Sequence, residues 1–254
     1  MSEIPTLTYA GDQALLVEFG NSIDININNK VSNLMVQLEQ SQEDWIVDLV
    51  PSYKSLLVIF NPALSGRKLI ETYLLELAEN LGQTDASADR LIQIPTLYGA
   101  DFGIDLDFVA KNSKLSIEEV ISLHSEPEYR VYMIGFAPGF PYLGGLNEKL
   151  TTPRLETPRL KIPAGSVGIA ESQTGIYPND SPGGWQLIGR TPLNLFDPNR
   201  EDPSLLIAGD YMKFKPLESP EEYSDIKSDI ESNNYKLEIS TLYRQEDNEP
   251  EHHE

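Results

Sequence analysis

The feature that most restricts the fold is a long stretch, residues 135–203, in which turn-forming residues recur without a helical period. It holds ten of the 17 glycines and ten of the 18 prolines. Proline lacks a backbone donor and interrupts helices, while glycine permits tight turns and close approach of the backbone. Aromatic and β-branched residues are interleaved with them, as in residues 166–169. The stretch is therefore predicted to be a small β-barrel with ordered loops and not a linker.

Residues 1–82 are predicted to form an α/β sandwich domain, one sheet with helices on one face. Residues 15–17, 45–50 and 55–60 have the composition of strands, and the turn at 51–54 makes the last two a hairpin. Two helices are indicated by apolar residues at helical spacing. These residues are Ile27, Val31, Leu34, Met35 and Leu38 in the first helix, and Leu69, Ile70, Tyr73, Leu74, Leu77, Ala78 and Leu81 in the second.

The small, polar residues 82–89 are predicted to be a linker, and residues 90–217 a second domain that contains the barrel. Ser116 and Glu119 have the spacing of a capping box, so a helix is expected from Ser116 to about His124. Further elements are expected from the local patterns: strands at 91–95 and 129–134, a short helix at 105–110, and a strand, turn and strand over 205–214.

Residues 218–254 carry 12 acidic and 3 basic side chains and are predicted to be an acidic tail, partly disordered, with 245–254 mobile. The whole chain has 40 acidic residues against 19 lysines and arginines, a formal charge of -21. Such a charge repels phosphate backbones and anionic lipid, so neither nucleic acid nor a membrane surface is an expected partner.

Cysteine is absent, which excludes disulfides, thiolate nucleophiles and cysteine-ligated zinc. With three histidines in addition, no metal site is expected. The longest apolar run, residues 56–60, is far shorter than the roughly 20 residues that cross a bilayer. The first residues have no apolar signal core, and a cytoplasmic location is expected.

The first candidate for function is the loop at residues 135–146, rich in glycine and aromatic residues. Gly139 allows the backbone to approach a ligand, and Phe136, Phe140 and Tyr142 supply an apolar wall. A structural loop whose aromatic rings plug the barrel explains the same composition equally well.

Two arginines stand out in a chain so poor in basic residues. Arg154 and Arg159 each follow a proline, and guanidinium groups are suited to carboxylate or phosphate. Surface ion pairs with the many acidic residues are the alternative.

A third cluster combines amide, hydroxyl and aromatic groups with small turn residues. Gln173 and Gln186 are able to donate to and accept from an amide or lactam, with Ser166 and Tyr177 nearby in sequence. Glutamines also satisfy loop backbone, and Ser166 lacks the G-x-S-x-G frame of a nucleophile elbow. His124 is an acid, base or anion ligand, or a helix-end histidine that bonds a free carbonyl.

Several motifs in order resemble the family of the B subunit of bacterial ATP-dependent 5-oxoprolinase, also called the PxpB, KipI or allophanate hydrolase subunit 1 family. The resemblance covers about residues 5–216. Its motifs are residues 124–142, Pro153–Arg154, Pro158–Arg159, 163–168, 173–178, 182–191 and 195–198, and in the N-terminal part 9–15 and 50–53. One departure is visible at Ala170–Glu171, where family members usually carry glycine.

The resemblance implies an α+β N-terminal domain followed by a cyclophilin-like β-barrel domain. It implies a protein that acts with a homologous C subunit to activate 5-oxo-L-proline with ATP, so that a separate A subunit completes ring opening to L-glutamate. The lactam is a poor electrophile, and phosphorylation of its carbonyl oxygen creates a leaving group. The B subunit is expected to be inactive alone, and whether ATP contacts this chain or only the C subunit stays open.

Under this resemblance, Arg154 and Arg159 hold the substrate carboxylate or the transferred phosphoryl group, Gln173 and Gln186 orient the lactam, and His124 assists proton transfer. The loop that contains Gly139, Phe140 and Tyr142 faces the C subunit. The family also contains inhibitors of a sensor histidine kinase, and related domains occur in urea amidolyase. A kinase inhibitor, an allophanate or urea-amidolyase subunit, and a scaffold for the C subunit therefore remain alternatives.

Overall fold

The computed structural model describes residues 5–81 and 89–242. The expected linker, apart from its last residue, and the expected mobile segment at 245–254 lie outside the described residues. Five helices are found in these ranges: α1 Ile25–Ser41, α2 Arg67–Glu79, α3 Leu106–Ser113, α4 Ile117–Ser125 and α5 Pro220–Glu231. The strands are β1 Thr6–Tyr9, β2 Ala14–Glu18, β3 Ile46–Pro51, β4 Ser55–Phe60, β5 Asp89–Tyr98, β6 Tyr129–Ile134, β7 Pro141–Gly144, β8 Arg159–Ile162, β9 Ser166–Ala170, β10 Gln173–Ile176, β11 Ser181–Gly183, β12 Gln186–Arg190, β13 Tyr211–Pro216 and β14 Ile239–Leu242.

The first sheet has the strand order β1-β2-β4-β3 and is antiparallel throughout. Alternate residues of β2 and β4 point to one face, where they share a core with the apolar stripes of α1 and α2. The buried side chains are Leu15, Val17, Leu56, Val58, Phe60, Val31, Leu34, Leu38, Ile70, Leu74 and Ala78, with Phe19 and Trp45 beside them. The predicted strands, hairpin and two helices are confirmed, and β1 is an additional edge strand.

The second sheet has the order β10-β9-β12-β5-β13-β6-β7, with β14 paired to β5. Its two end strands, β7 and β10, lie side by side, so the sheet curls into a nearly closed barrel. Strands β5 and β13 are parallel and the other pairs are antiparallel. The predicted barrel-like sheet is thus present, and the Gly- and Pro-rich stretch supplies β7 to β12. Strands β8 and β11 form a separate two-stranded sheet on its outside.

Local sequence signals explain where the helices of this half begin. Ser116 and Glu119 form the predicted capping box, in which the Ser116 hydroxyl accepts from the Glu119 amide and the Glu119 carboxylate accepts from the Ser116 amide.

The prediction of a strand before the turn at 209–210 was wrong. Residues 205–208 run as turns because the Asp210 carboxylate accepts the backbone N–H of Ile207 and binds Arg90.

Side chains of α1 tie the two sheets together. The Nδ2 of Asn28 donates to the carbonyl oxygen of Tyr132 in β6 at 3.5 Å, and Arg130 donates to Oδ1 of Asn29 at 3.1 Å. Asn28 is fully buried, so its contact with Tyr132 is desolvated, whereas Asn29 is exposed. The first sheet is therefore held against the barrel at β6.

None of the helices in the described ranges has the length and apolar character needed to cross a membrane.

The hairpin between β9 and β10 turns at Glu171, in the segment Ala170–Glu171 singled out in the sequence. Gln173 pairs with Ala170, which leaves Glu171 and Ser172 as the loop, and Glu171 has a φ of 51°. A side chain at positive φ is strained, and glycine removes that strain. The Glu171 backbone is fixed by two hydrogen bonds with Thr152, so the turn does not relax away from this conformation.

We predict that Glu171→Gly raises the free energy of unfolding by about 0.5–1 kcal/mol, since relief of the strain exceeds the added chain entropy. Denaturant titration measures the change. Ser172→Gly is the matched control, because Ser172 in the same loop is not at positive φ and glycine there only adds entropy to the unfolded chain. Equal destabilisation by both substitutions would contradict the assignment of strain to Glu171.

Candidate functional site

A cavity of about 220 Å³ opens beside β7 and β10, the two end strands that meet where the barrel nearly closes. It is smaller than the roughly 300–1,000 Å³ of sites that enclose drug-sized ligands, so its size is suited to a small metabolite. The cavity combines an aromatic wall with one cation and one amide. Its lining residues are Phe136, Phe140, Tyr142, Arg154, Gln173, Tyr177, Pro182, Gly183, Gly184 and Trp185. We call this cavity the aromatic pocket.

The wall of the aromatic pocket is built around Phe140. Its ring makes edge-to-face contacts with Tyr142, Tyr177 and Trp185, at centroid distances of 5.2, 5.9 and 5.8 Å. Edge-to-face packing of this kind adds to the apolar burial and fixes ring orientations. Phe136, at a φ of 64° and 76% exposed, extends the wall outward and touches Phe140, with ring centroids 5.6 Å apart.

Two glycines make this packing possible. A Cβ at Gly175 would lie 3.1 Å from the Trp185 ring and 3.2 Å from the Phe140 ring, so a larger residue would push both rings. Gly139 has a φ of 81°, and a Cβ there would come within 2.7 Å of the Cβ of Phe196. Gly139 does not line the pocket; it shapes the loop that presents Phe140.

Arg154 brings a positive charge to the pocket, and it forms no ion pair or hydrogen bond with any other residue in the two described ranges. The charge of Arg154 acts on the nearby phenol of Tyr177. Burial raises the pKa of Tyr177, and the charges of Arg154 and Arg159 oppose that rise. Tyr177 therefore stays protonated at neutral pH and is available as a hydrogen-bond donor. An unpaired guanidinium next to aromatic rings is a suitable partner for a small anion.

Arg159 occupies a different position from Arg154. Its guanidinium binds the Asp105 carboxylate at 2.7 Å and the carbonyl oxygen of Trp185 at 3.3 Å. Asp105 also accepts the backbone N–H of Leu187. In the structure its charge is compensated and it supports the backbone behind Trp185, while the expectation that Arg159 holds a ligand anion stays a prediction.

The two glutamines of the predicted cluster are separated by the fold. Gln173 lines the pocket, and its Nε2 donates to the hydroxyl of Tyr53 at 2.8 Å. Gln186 is buried outside the pocket and donates to the carbonyl oxygen of Pro153, directly before Arg154. Gln186 thus satisfies loop backbone next to the arginine. Ser166 is also fully buried outside the lining. The expected ligand contacts of these two residues stay predictions.

His124 lies inside the barrel core at 0% exposure and does not line the pocket. Its Nδ1 and Nε2 lie 2.8 Å from the hydroxyls of Tyr98 and Thr174. Thr174 donates its proton to the carbonyl oxygen of Gly168, so it must accept from Nε2, and Nδ1 must accept from Tyr98. The hydrogen-bond chain fixes one neutral tautomer of the imidazole.

The structure gives His124 no place in the lining of the aromatic pocket, and its expected proton transfer stays a prediction. Burial lowers the pKa of His124 from 6.5 to about 3, so the ring is neutral at physiological pH, and both of its nitrogens are already engaged. Its role in the structure is to anchor Thr174 and with it β10. The adjacent residue on that strand, Gln173, faces the opposite side and lines the pocket.

Two kinds of site residue were not predicted from the sequence. Trp185 belongs to a motif that stood out, but it was not assigned to the site; its ring geometry appears only in three dimensions. Tyr53 comes from the other sheet, 120 residues from Gln173, and no local pattern connects the two. Within the described ranges no cluster of three or more His, Asp or Glu side chains is arranged to hold a metal ion.

The family profile and the relatives that match this chain agree with each other. Residues 5–206 match the family profile described as carboxyltransferase domain, subdomain C and D. The chain is 43% identical over 218 residues to the 5-oxoprolinase B subunit of Bacillus subtilis, which covers 80% of this chain and 89% of that protein. It is 51% identical over 175 residues to the 5-oxoprolinase B subunit of Haemophilus influenzae, covering 69% of this chain and 81% of that one.

The fold is also found in a larger protein. The crystal structure of the Kluyveromyces lactis urea carboxylase superimposes with a TM-score of 0.75 over 94% of this chain and 24% of that one, at 24% sequence identity. At this identity the similarity shows a shared fold and nothing about substrate.

We predict that His124→Gln removes part of the acid sensitivity of the fold. The folded-state pKa of about 3 lies below the ordinary 6.5, so the unfolded chain takes up a proton first as pH falls. Stability is therefore lost from pH 6.5 downward until about pH 3. Between about pH 5.5 and 4, the wild type should lose up to about 1.4 kcal/mol per pH unit more than the variant. Parallel pH profiles from denaturant titrations would contradict a buried neutral imidazole.

Proposed function

Because the chain belongs to the family of 5-oxoprolinase B subunits, within the carboxyltransferase subdomain C and D proteins, we propose that it is part of an ATP-dependent 5-oxoprolinase. It acts with the C subunit of that enzyme to activate 5-oxo-L-proline, and the A subunit completes ring opening to L-glutamate. The observation that carries the proposal is the unpaired guanidinium of Arg154 in a small aromatic pocket.

The pocket has a group for each part of this substrate. Arg154 binds the carboxylate through charge-assisted hydrogen bonds. Gln173 contacts the lactam amide, and the Tyr177 hydroxyl is a further donor at the same wall. The rings around Phe140 cover the apolar methylenes and keep water from the carbonyl carbon.

The formal charge of -21 disfavours the binding of an anion to this chain. A cation without an acidic neighbour is then the feature that admits a carboxylate, because distant acidic groups are screened within about 10 Å at moderate salt. Every lysine or arginine that is paired with an acid, such as Arg159 with Asp105, is unavailable for this purpose.

The lactam is a poor electrophile, and ATP activates it. Transfer of the γ-phosphoryl group of ATP to the carbonyl oxygen releases ADP. Water then attacks the activated carbon and the C–N bond opens to give γ-glutamyl phosphate, from which a second water molecule releases phosphate and L-glutamate. The cavity of about 220 Å³ accommodates the small ring but not a whole nucleotide in addition. We therefore place ATP on or with the C subunit, whose contact surface lies at the Phe136 side of the pocket.

The same proposal includes the organisation of the chain. Residues 1–82 form the N-terminal domain and residues 90–217 a cyclophilin-like barrel domain. The acidic tail, residues 218–254, adds α5 and also β14, which pairs with β5 of the barrel. The enzyme works in the cytoplasm, without contact to nucleic acid or a membrane.

The proposed activity is tested by co-expression of this chain with the A and C subunits and measurement of L-glutamate release. We expect release from 5-oxo-L-proline only with ATP and only with all three proteins present. Urea and allophanate serve as competing substrates. Robust ATP-dependent ring opening by this chain alone, or turnover of urea in place of the lactam, would contradict the proposal.

Replacement of the pocket cation tests the binding mode. We expect Arg154→Ala to raise the KM for 5-oxo-L-proline in the assembled enzyme by roughly tenfold or more, since a charged hydrogen-bond partner is lost. Arg154→Lys should recover part of the affinity because it retains the charge. Arg67→Ala is the control, because Arg67 lies at the start of α2, is exposed and pairs with Asp12. Unchanged kinetics of Arg154→Ala would remove this arginine from the site.

A further inference from the structure

The aromatic pocket has one contributor from outside the barrel. Tyr53 lies in the turn between β3 and β4 of the first sheet, and its hydroxyl accepts a hydrogen bond from Nε2 of Gln173 at 2.8 Å. Gln173 is a lining residue, whereas Tyr53 is not. A side chain of the N-terminal part therefore contacts a polar group of the pocket from behind.

The position of Tyr53 is fixed on both sides. Its ring packs on Tyr132 at a centroid distance of 5.2 Å and on Tyr142, itself a lining residue, at 6.1 Å. The Nδ2 of the buried Asn28 lies 3.3 and 3.4 Å from the carbonyl oxygens of Ser52 and Tyr53 and holds the turn. Burial raises the pKa of Tyr53 to about 12, so the hydroxyl stays neutral over the working pH range.

This contact holds the amide of Gln173 at the pocket wall and engages its Nε2 end. Its Nε2 points to Tyr53, and among the described residues nothing donates a hydrogen bond to its Oε1. Without the Tyr53 hydroxyl, Nε2 loses its acceptor and the Gln173 side chain is no longer held in this position.

We propose that Tyr53 is a positioning residue of the aromatic pocket, which holds the Gln173 amide so that its oxygen accepts an N–H of the ligand. The inference rests on the proposed function, because a lactam carries that N–H on the ring. It adds a source of selectivity: a ring with oxygen in place of N–H leaves Oε1 unpaired and faces a second acceptor.

The contact itself is tested in the isolated chain by nuclear magnetic resonance with selective ¹⁵N-glutamine labelling. Tyr53→Phe keeps the ring and removes only the hydroxyl, so we expect a shift of the Gln173 side-chain amide signals, assigned by their loss in Gln173→Ala. Tyr132→Phe is the matched control, since it removes a hydroxyl from the same ring cluster without touching Gln173. Signals that respond equally to both substitutions, or to neither, would overturn the positioning role.

The consequence is tested in the assembled enzyme with 5-oxo-L-proline as substrate and its ring-oxygen analogue, 5-oxotetrahydrofuran-2-carboxylate, as inhibitor. We expect Tyr53→Phe to lower kcat/KM for the lactam roughly fivefold to tenfold while the inhibition constant of the lactone is unchanged. In a Gln173→Ala background, Tyr53→Phe should have no further effect, as expected for a residue that acts through Gln173.

The outcomes separate this inference from the proposed function. Lactam turnover in the wild type with unchanged lactam-to-lactone discrimination in Tyr53→Phe overturns the inference alone. No lactam turnover in the wild type overturns the proposed function and the selectivity that rests on it, while the amide signals still decide whether Tyr53 orients Gln173.

Discussion

Strand β10 carries the interaction on which the pocket depends, because its two faces have different tasks. On the inner face, Thr174 completes the buried chain that runs from Tyr98 through His124 to the carbonyl of Gly168. On the outer face, Gln173 and Gly175 meet the pocket and its rings. Since side chains alternate across a strand, a rigid inner face fixes the outer one. The buried histidine therefore supports β10 and, through it, the residues that face the aromatic pocket.

The chemistry of the pocket follows from what is paired and what is not. Arg159, Gln186 and Asp105 are committed to backbone or to each other and hold the walls in place. Arg154 and the oxygen of Gln173 have no such partner among the described residues. A pocket that presents one cation and one acceptor between aromatic rings is complementary to a small anion with an N–H group. Membership in the family of 5-oxoprolinase B subunits agrees with that complementarity.

Local patterns predicted much of the fold. The helical spacing in α1 and α2, the capping box of α4 and the turn residues of the barrel each depend on neighbours within a few residues. The strand expected at 205–208 failed because Asp210 satisfies the backbone locally, and β1 and β14 are short edge strands with a weak signal. The site was harder to predict. Two arginines five residues apart look alike in sequence, yet only Arg159 meets an acid, at Asp105, 54 residues away along the chain. The Tyr53 contact spans 120 residues and has no sequence signature.

The most direct test of the central claim is a crystal structure of the chain, alone or with its partner subunits, grown with 5-oxo-L-proline. We expect the ligand in the aromatic pocket, with its carboxylate within hydrogen-bond distance of the Arg154 guanidinium and its ring N–H directed at Oε1 of Gln173. A lactam bound elsewhere, or in the pocket with its carboxylate turned away from Arg154, would contradict this claim.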